Sequence, residues 1–196
     1  IENILVSTQP FLQKIDTARI TSHSLINASN SILTIKSTAY EIGLIVSTQK
    51  VNIIDDGSTT ANGKKLLDIV RILKDGDIDL ELKNDMLHIS QSHSHFKLPT
   101  FSYIDFPKFP TYENKPRILI NSHSLIDSLK KITPSIDNNN PKFELNGALI
   151  DIKENSINFV STDTRRLAVV NIENQTNSPL SIIIPKKAII EIQKLF

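Results

Sequence analysis

The chain has 196 residues, 39% hydrophobic and 22% charged, with a formal net charge of +1 and no cysteine. That composition excludes disulfides and thiolate zinc sites, and no apolar run reaches the roughly 18 residues a membrane-spanning helix needs. The opening "IENILVSTQP" lacks the basic start and small-residue cleavage site of a secretory leader, so the chain reads as cytoplasmic and globular, with room for one large or two smaller domains.

The first predicted element is an amphipathic helix in "IENILVSTQPFLQK". It opens in mid-pattern and without Met, so the chain is expected to be a fragment. Strands follow in "SLINASNSI" and in "NSILTIKSTAYEIGLIVS" (Asn30 to Ser47). "GKKLLDIVRIL" (Gly63 to Leu73) predicts a second helix. Lys64, Asp68 and Arg71 lie at offsets 0, 4 and 7 and share its polar side. Next, Ile78, Leu80 and Leu82 alternate against Asp77, Asp79 and Glu81, and "MLHISQ" and "SHFKLPTF" alternate likewise. These predict an antiparallel sheet with one wet face and a turn at Asn84–Asp85. The acids of "DIDLE" should face water and form no catalytic pair.

His88, His93 and His95 lie in the same hairpin. On a strand, His93 and His95 would share a face, but no third ligand has convincing spacing, so no metal is expected. His23 and His123 read as surface or capping residues. "FPKFPTYENKPR" (Phe106 to Arg117) is Pro-rich and reads as a linker.

Beyond the linker the pattern returns. "IDSLKKITPSI" lies on the opening helix, "ALIDIKENSI" echoes "SLINASNSI", and "NSINFVSTDTRRLAVVN" (Asn155 to Asn171) falls on Asn30 to Ser47. "PKKAIIEIQKLF" (Pro185 to Phe196) falls on "GKKLLDIVRIL" when Glu191 is set on Asp68. Ile189–Ile190 then match Leu66–Leu67, and Lys194 matches Arg71. The polar stripe recurs as Lys187, Glu191, Lys194. Residues 1–73 and about 125–196 thus read as two copies of one α+β unit: helix, two or three strands, helix. The segments Lys64–Lys74, Lys186–Phe196 and Asn121–Ile132 carry +3, +2 and +1, so a near-neutral chain sorts its positive charge onto helices. No phosphate-binding, dinucleotide or nucleophile-elbow motif occurs, and five glycines leave little room for one.

Four stretches carry a family resemblance: "IDFPKFP" (Ile104 to Pro110), "LNGALI" (Leu145 to Ile150), "TDTRRLAV" (Thr162 to Val169) and "PKKAIIEIQKL" (Pro185 to Leu195). In order and spacing they resemble the bacterial DNA polymerase III β subunits, the sliding clamps, and the resemblance covers the whole chain. It implies a DNA clamp fold: repeated α+β domains, each with two inner helices packed on outer antiparallel β-sheets. Domain one would span 1–112, lacking its first residues, with a linker at 113–117. Domain two would span 118–196, truncated at its C-terminal end.

The implied function is non-catalytic. A head-to-tail homodimer would encircle double-stranded DNA without sequence preference and tether the replicative polymerase, with no cofactor and no membrane. Partners would be the polymerase III catalytic subunit, the clamp loader, and other polymerases and repair proteins, each through a short hydrophobic peptide. The alternative is a peptide-binding adaptor of the same fold that does not hold DNA. A metal-dependent enzyme using the His hairpin is the remaining rival.

The candidate DNA contacts are Lys64, Lys65 and Arg71 on one helix and Lys186, Lys187 and Lys194 on the other. The resemblance adds Lys14, with Arg19 as a rival, and Asn139 and Phe143 in "DNNNPKFE". Leu145, Thr162, Thr164, Arg165, Arg166 and Leu167 match the family's peptide cleft. Leu145 and Leu167 would offer apolar wall, and Arg166 a fork for peptide carbonyls or a carboxylate. Thr164–Arg165 stand where the family often has a small residue followed by His or an aromatic. No base-reading constellation stands out, as a sliding ring requires. With about 4–6 phosphate contacts, log affinity would fall against log salt with a slope of about −4 to −5.

Overall fold

A computed structural model describes the chain apart from residues 14–18, 114, 116, 176 and 177. It divides into two compact units, Ile1–Pro110 and Thr111–Phe196. Lys14 lies outside the described residues.

The first unit begins with α1 (Glu2–Thr8), which the ring of Pro10 turns into a short 3-10 segment, Gln9–Phe11. Then come β1 (His23–Ser29), β2 (Ile32–Thr38), β3 (Gly43–Thr48), β4 (Gly57–Asn62) and α2 (Gly63–Ile72). The strands form one antiparallel sheet in the order β3-β2-β1-β4. A second antiparallel sheet is the meander β5 (Asp79–Lys83), β6 (Met86–Gln91) and β7 (Ser94–Pro99). Asn84 and Asp85 both take positive φ, as a two-residue hairpin turn of this hand requires. Leu66, Leu67 and Val70 of α2 pack with Leu5, Ile35 and Ile89 in a core closed to water.

The second unit repeats this order. Its elements are α3 (Ser122–Ile132), a 3-10 segment Thr133–Ser135, β8 (Gly147–Ile152), β9 (Ser156–Thr162), β10 (Leu167–Glu173), β11 (Leu180–Pro185) and α4 (Lys186–Leu195). The sheet order β10-β9-β8-β11 is that of the first unit, strand for strand. Leu129, Ile150, Phe159 and Ile189 occupy the core positions of Leu5, Ile26, Ile35 and Leu66. Each copy holds four strands where the sequence predicts two or three. The extra ones are β4 and β11. The polar run "GSTTAN" hides the first, since its inward side chains are threonines and alanine. The second, "LSIIIP", is a continuous apolar run with no alternation to read.

Two expectations about histidine change. His93 sits in the turn after Ser92, whose φ is 51°, so the alternation that would align it with His95 is broken there. Among the described residues no three His, Asp or Glu side chains cluster as metal ligands. His23 is not a surface residue: its ring is buried, 4.4 Å from the ring of Phe101, with Nδ1 3.2 Å from Thr60 Oγ1. Burial first, then the nearby Lys65 charge, lowers its pKa to about 4.

Candidate nucleic-acid interface and peptide cleft

Helix α2 starts where the Asn62 side chain accepts a hydrogen bond from the Lys65 amide at 3.1 Å. A Cβ at Gly63 would lie 2.4 Å from Leu12 Cδ1 and 2.9 Å from Ser24 Oγ, so a larger residue there would displace those side chains. With Leu66, Leu67 and Val70 turned inward, Lys64, Lys65, Asp68 and Arg71 are left in solvent. Arg71 Nε donates to Glu2 Oε1 at 3.2 Å. Both partners are half exposed, so the pair is weak and Arg71 stays available. Among the described residues, Lys64 and Lys65 form no ion pair.

The second copy is built differently. Helix α4 has Pro185 at its N-cap and no side-chain cap. Lys187 is exposed and, among the described residues, unpaired. Glu191 leaves the predicted wet stripe: it is buried, and Lys194 Nζ reaches back one turn to it at 2.8 Å. A carboxylate taken out of water needs such a partner. Lys194 is therefore partly neutralised, while Lys187 on the same stripe is not paired with Glu191. Lys186 is also committed. Its Nζ donates to the Ile136 carbonyl and to Asn138 Oδ1, each at 2.8 Å.

Asn139 and Phe143 sit on the loop between the 3-10 segment and β8. Both are exposed, and Asn139 holds φ at 57°. Asparagine side chains brace the loop from within. The Asn140 amide donates to Asn146 Oδ1 at 2.7 Å, and Asn146 Nδ2 returns a bond to the Asn140 carbonyl at 2.8 Å. The Asp137 amide donates to the Leu145 carbonyl at 3.0 Å. In the first unit the Gln13 amide donates to the Thr21 carbonyl at the same distance, so the two loops are equivalent at their described ends.

Leu145 closes that loop half-buried, just before β8, the strand that pairs with β9; the β9–β10 turn holds the other cleft candidates. Thr162 Oγ1 donates to the Arg166 carbonyl at 2.8 Å and accepts from the Thr164 amide at 3.1 Å. Thr164 takes φ of 73°, unusual for a β-branched residue. Arg165 and Arg166 are exposed, and Leu167 is 66% exposed at the start of β10. Asp163, which sequence reasoning passed over, organises the turn. Its Oδ1 accepts from the Arg165 and Arg166 amides at 3.1 and 3.0 Å, and its Oδ2 from Arg166 Nε at 2.8 Å. Burial pushes its pKa up, but these bonds outweigh it and hold the carboxyl below its ordinary value. The signal was an Asp two and three residues before amides in a tight turn. Arg166 is thus held by one edge of its fork, through Nε.

Residues 3–110 match the family described as DNA polymerase III beta subunit, N-terminal domain, and residues 119–196 match its central domain. The chain belongs to this family. It is 41% identical over 204 residues to the beta sliding clamp of Helicobacter pylori strain J99, covering 100% of this chain and 54% of that protein. To the beta sliding clamp of Buchnera aphidicola from Acyrthosiphon pisum it is 32% identical over 202 residues, covering 98% of this chain and 54% of the relative. The structure superimposes on the H. pylori beta clamp bound to a DNA ligase peptide with a TM-score of 0.91 and 40% identity, over 100% of this chain and 56% of that one. The chain spans about half the length of the relatives it matches. The fold class is that of the family: α+β units of helices on antiparallel sheets. Among the described residues no helix is long and apolar enough to cross a membrane.

Proposed function

We propose that this chain is part of a sliding clamp, a non-catalytic processivity factor that encircles duplex DNA as a head-to-tail homodimer in the cytoplasm. The observation that carries this reading is the repetition: in both units a four-stranded sheet of the same strand order is followed by a helix with an exposed lysine in its first turn, Lys64 and Lys187. Sequence-blind attraction to DNA needs cations that neutralise phosphate and release counterions. Flexible lysines on helix surfaces do this without reading bases, so a ring meets no deep minimum as it slides.

Lys64, Lys65, Lys187 and, less strongly, Arg71 are the cations that face DNA, with Asn139 and Phe143 adding loop contacts; Lys14 is carried by the resemblance alone. Leu145, Leu167 and the Asp163-braced turn, with Thr162, Thr164, Arg165 and Arg166, form part of a cleft for short hydrophobic peptides. The H. pylori beta clamp is known in complex with a DNA ligase peptide, which supports that reading. The peptide partners are the polymerase III catalytic subunit, the clamp loader and other polymerases and repair proteins. The domain limits proposed from the sequence are 1–112 and 118–196, with 113–117 as the linker.

The test is Lys64→Glu with Lys187→Glu in the full-length clamp. Loading onto circular DNA is lost and peptide binding is kept. Loading retained at the parent level removes the clamp reading and leaves the peptide-binding adaptor that does not hold DNA.

A further inference from the structure

We propose that Lys186 is a positioning residue, anchoring the Asn139–Phe143 loop for duplex DNA rather than meeting phosphate itself. This rests on the reading of that loop as a DNA contact. Lys186 and Lys187 are adjacent in sequence and look interchangeable, yet their surroundings differ. Lys187 is exposed, whereas Lys186 is half-buried and spends two of its three donors on Ile136 O and Asn138 Oδ1, both at 2.8 Å. Those acceptors lie on either side of Asp137, at the root of the loop. The Lys186 charge also contributes to the lowered pKa of Asp137, behind the Asn140 side chain and the Asn138 amide.

The loop above this anchor is held by its own side chains. Asn140 Nδ2 donates to Asp137 Oδ2 at 2.7 Å, and the Lys142 amide donates to Asn140 Oδ1 at 2.9 Å. Asp137 is therefore the point where internal bracing meets the helix. With the ammonium in place, the loop tip is presented ordered, and its capture by DNA need not carry the full entropy of ordering a free loop. An ammonium engaged twice by protein oxygens is a poor phosphate contact, because leaving them would unpair both acceptors.

The experiment compares Lys186→Met with Lys187→Met in the 196-residue chain. Hydrogen exchange at the Asn140 and Lys142 amides becomes about tenfold faster in Lys186→Met and is unchanged in Lys187→Met. Binding of a short duplex at low salt weakens about fivefold in Lys186→Met, with the salt slope unchanged. Lys187→Met reduces the magnitude of that slope by about 0.9, as a lost phosphate contact should. Adding Lys186→Met to Phe143→Ala costs little more, since both act through one loop. Unchanged exchange at Asn140 and Lys142, or a slope reduced by about 0.9 in Lys186→Met, overturns the proposal. A parent chain with no duplex affinity overturns the reading of this loop as a duplex contact, while exchange alone still judges the anchor.

Discussion

The β2–β3 turn of the first unit and the β9–β10 turn of the second share a backbone and differ in what they offer to solvent. In each a threonine at the strand end bonds twice across the turn. Thr38 Oγ1 donates to the Ile42 carbonyl and accepts from the Tyr40 amide, each at 3.0 Å, just as Thr162 serves Arg166 and Thr164. Tyr40 and Thr164 both take positive φ, 70° and 73°. The side chains then diverge. Ile42 is buried and Arg166 is exposed. Gly43 lies under the ring of Phe109, where a Cβ would come within 2.7 Å of Cε1, while Leu167 stands open. The first turn is covered by Phe109 of the chain's own "FPKFP", whereas Leu167 in the second stays open to solvent. A repeated backbone thus sets the turn, and side chains such as Ile42 against Arg166 and Gly43 against Leu167 decide what it offers to solvent.

The strongest way to break this comparison is to exchange residues. Ile42→Arg puts a charge where the first unit has apolar packing, and should destabilise that unit by about 2–4 kcal/mol in urea unfolding. The reverse exchange, Arg166→Ile, should stay within about 0.5 kcal/mol while weakening peptide binding by calorimetry. If both exchanges are equally tolerated, the closed and open turns are not distinct. Gly43→Leu, copying Leu167, should cost about 1–3 kcal/mol through displacement of Phe109, and exchange protection near residue 109 should fall. Asp163→Ala gives the second turn the Ala39 of the first. It removes three hydrogen bonds at a partly exposed site and should cost about 1 kcal/mol, with peptide affinity falling because Arg166 loses its brace.

A further expectation is a pH slope confined to the first unit. His23 stands where the second unit has Gly147, so only the first unit buries an imidazole at this point. The unfolded ring binds a proton near pH 6.5, and the folded one not until about 4. Between those values the unfolded state holds more protons, so stability falls as pH falls from 6.5 toward 4. His23→Gln should flatten that slope in denaturant melts of the first unit. An undiminished slope would assign the acid sensitivity to other groups.

Much of the candidate site was legible because it is local. The turn at Asn84–Asp85, the lysines at each helix start and the "TDTRR" turn follow from neighbours within a few residues. The burial of Glu191 and the two bonds of Lys186 were not legible, for the opposite reason. Helical spacing put Glu191 among wet residues, but spacing does not register how much surface the rest of the unit covers. Lys186 looked like Lys187 because its partners, Ile136 and Asn138, are about 50 residues away in sequence.

By itself the amino-acid order determined the duplication, the α+β class and the family. Periods of 2 and 3.6 and an apolar core recurring at one offset are properties of the chain, whatever its conformation. Tertiary structure alone decided which cations stay free, which turn is closed and that Glu191 and His23 are buried. Those outcomes depend on solvent exclusion and on hydrogen bonds of about 3 Å between residues that only folding brings together.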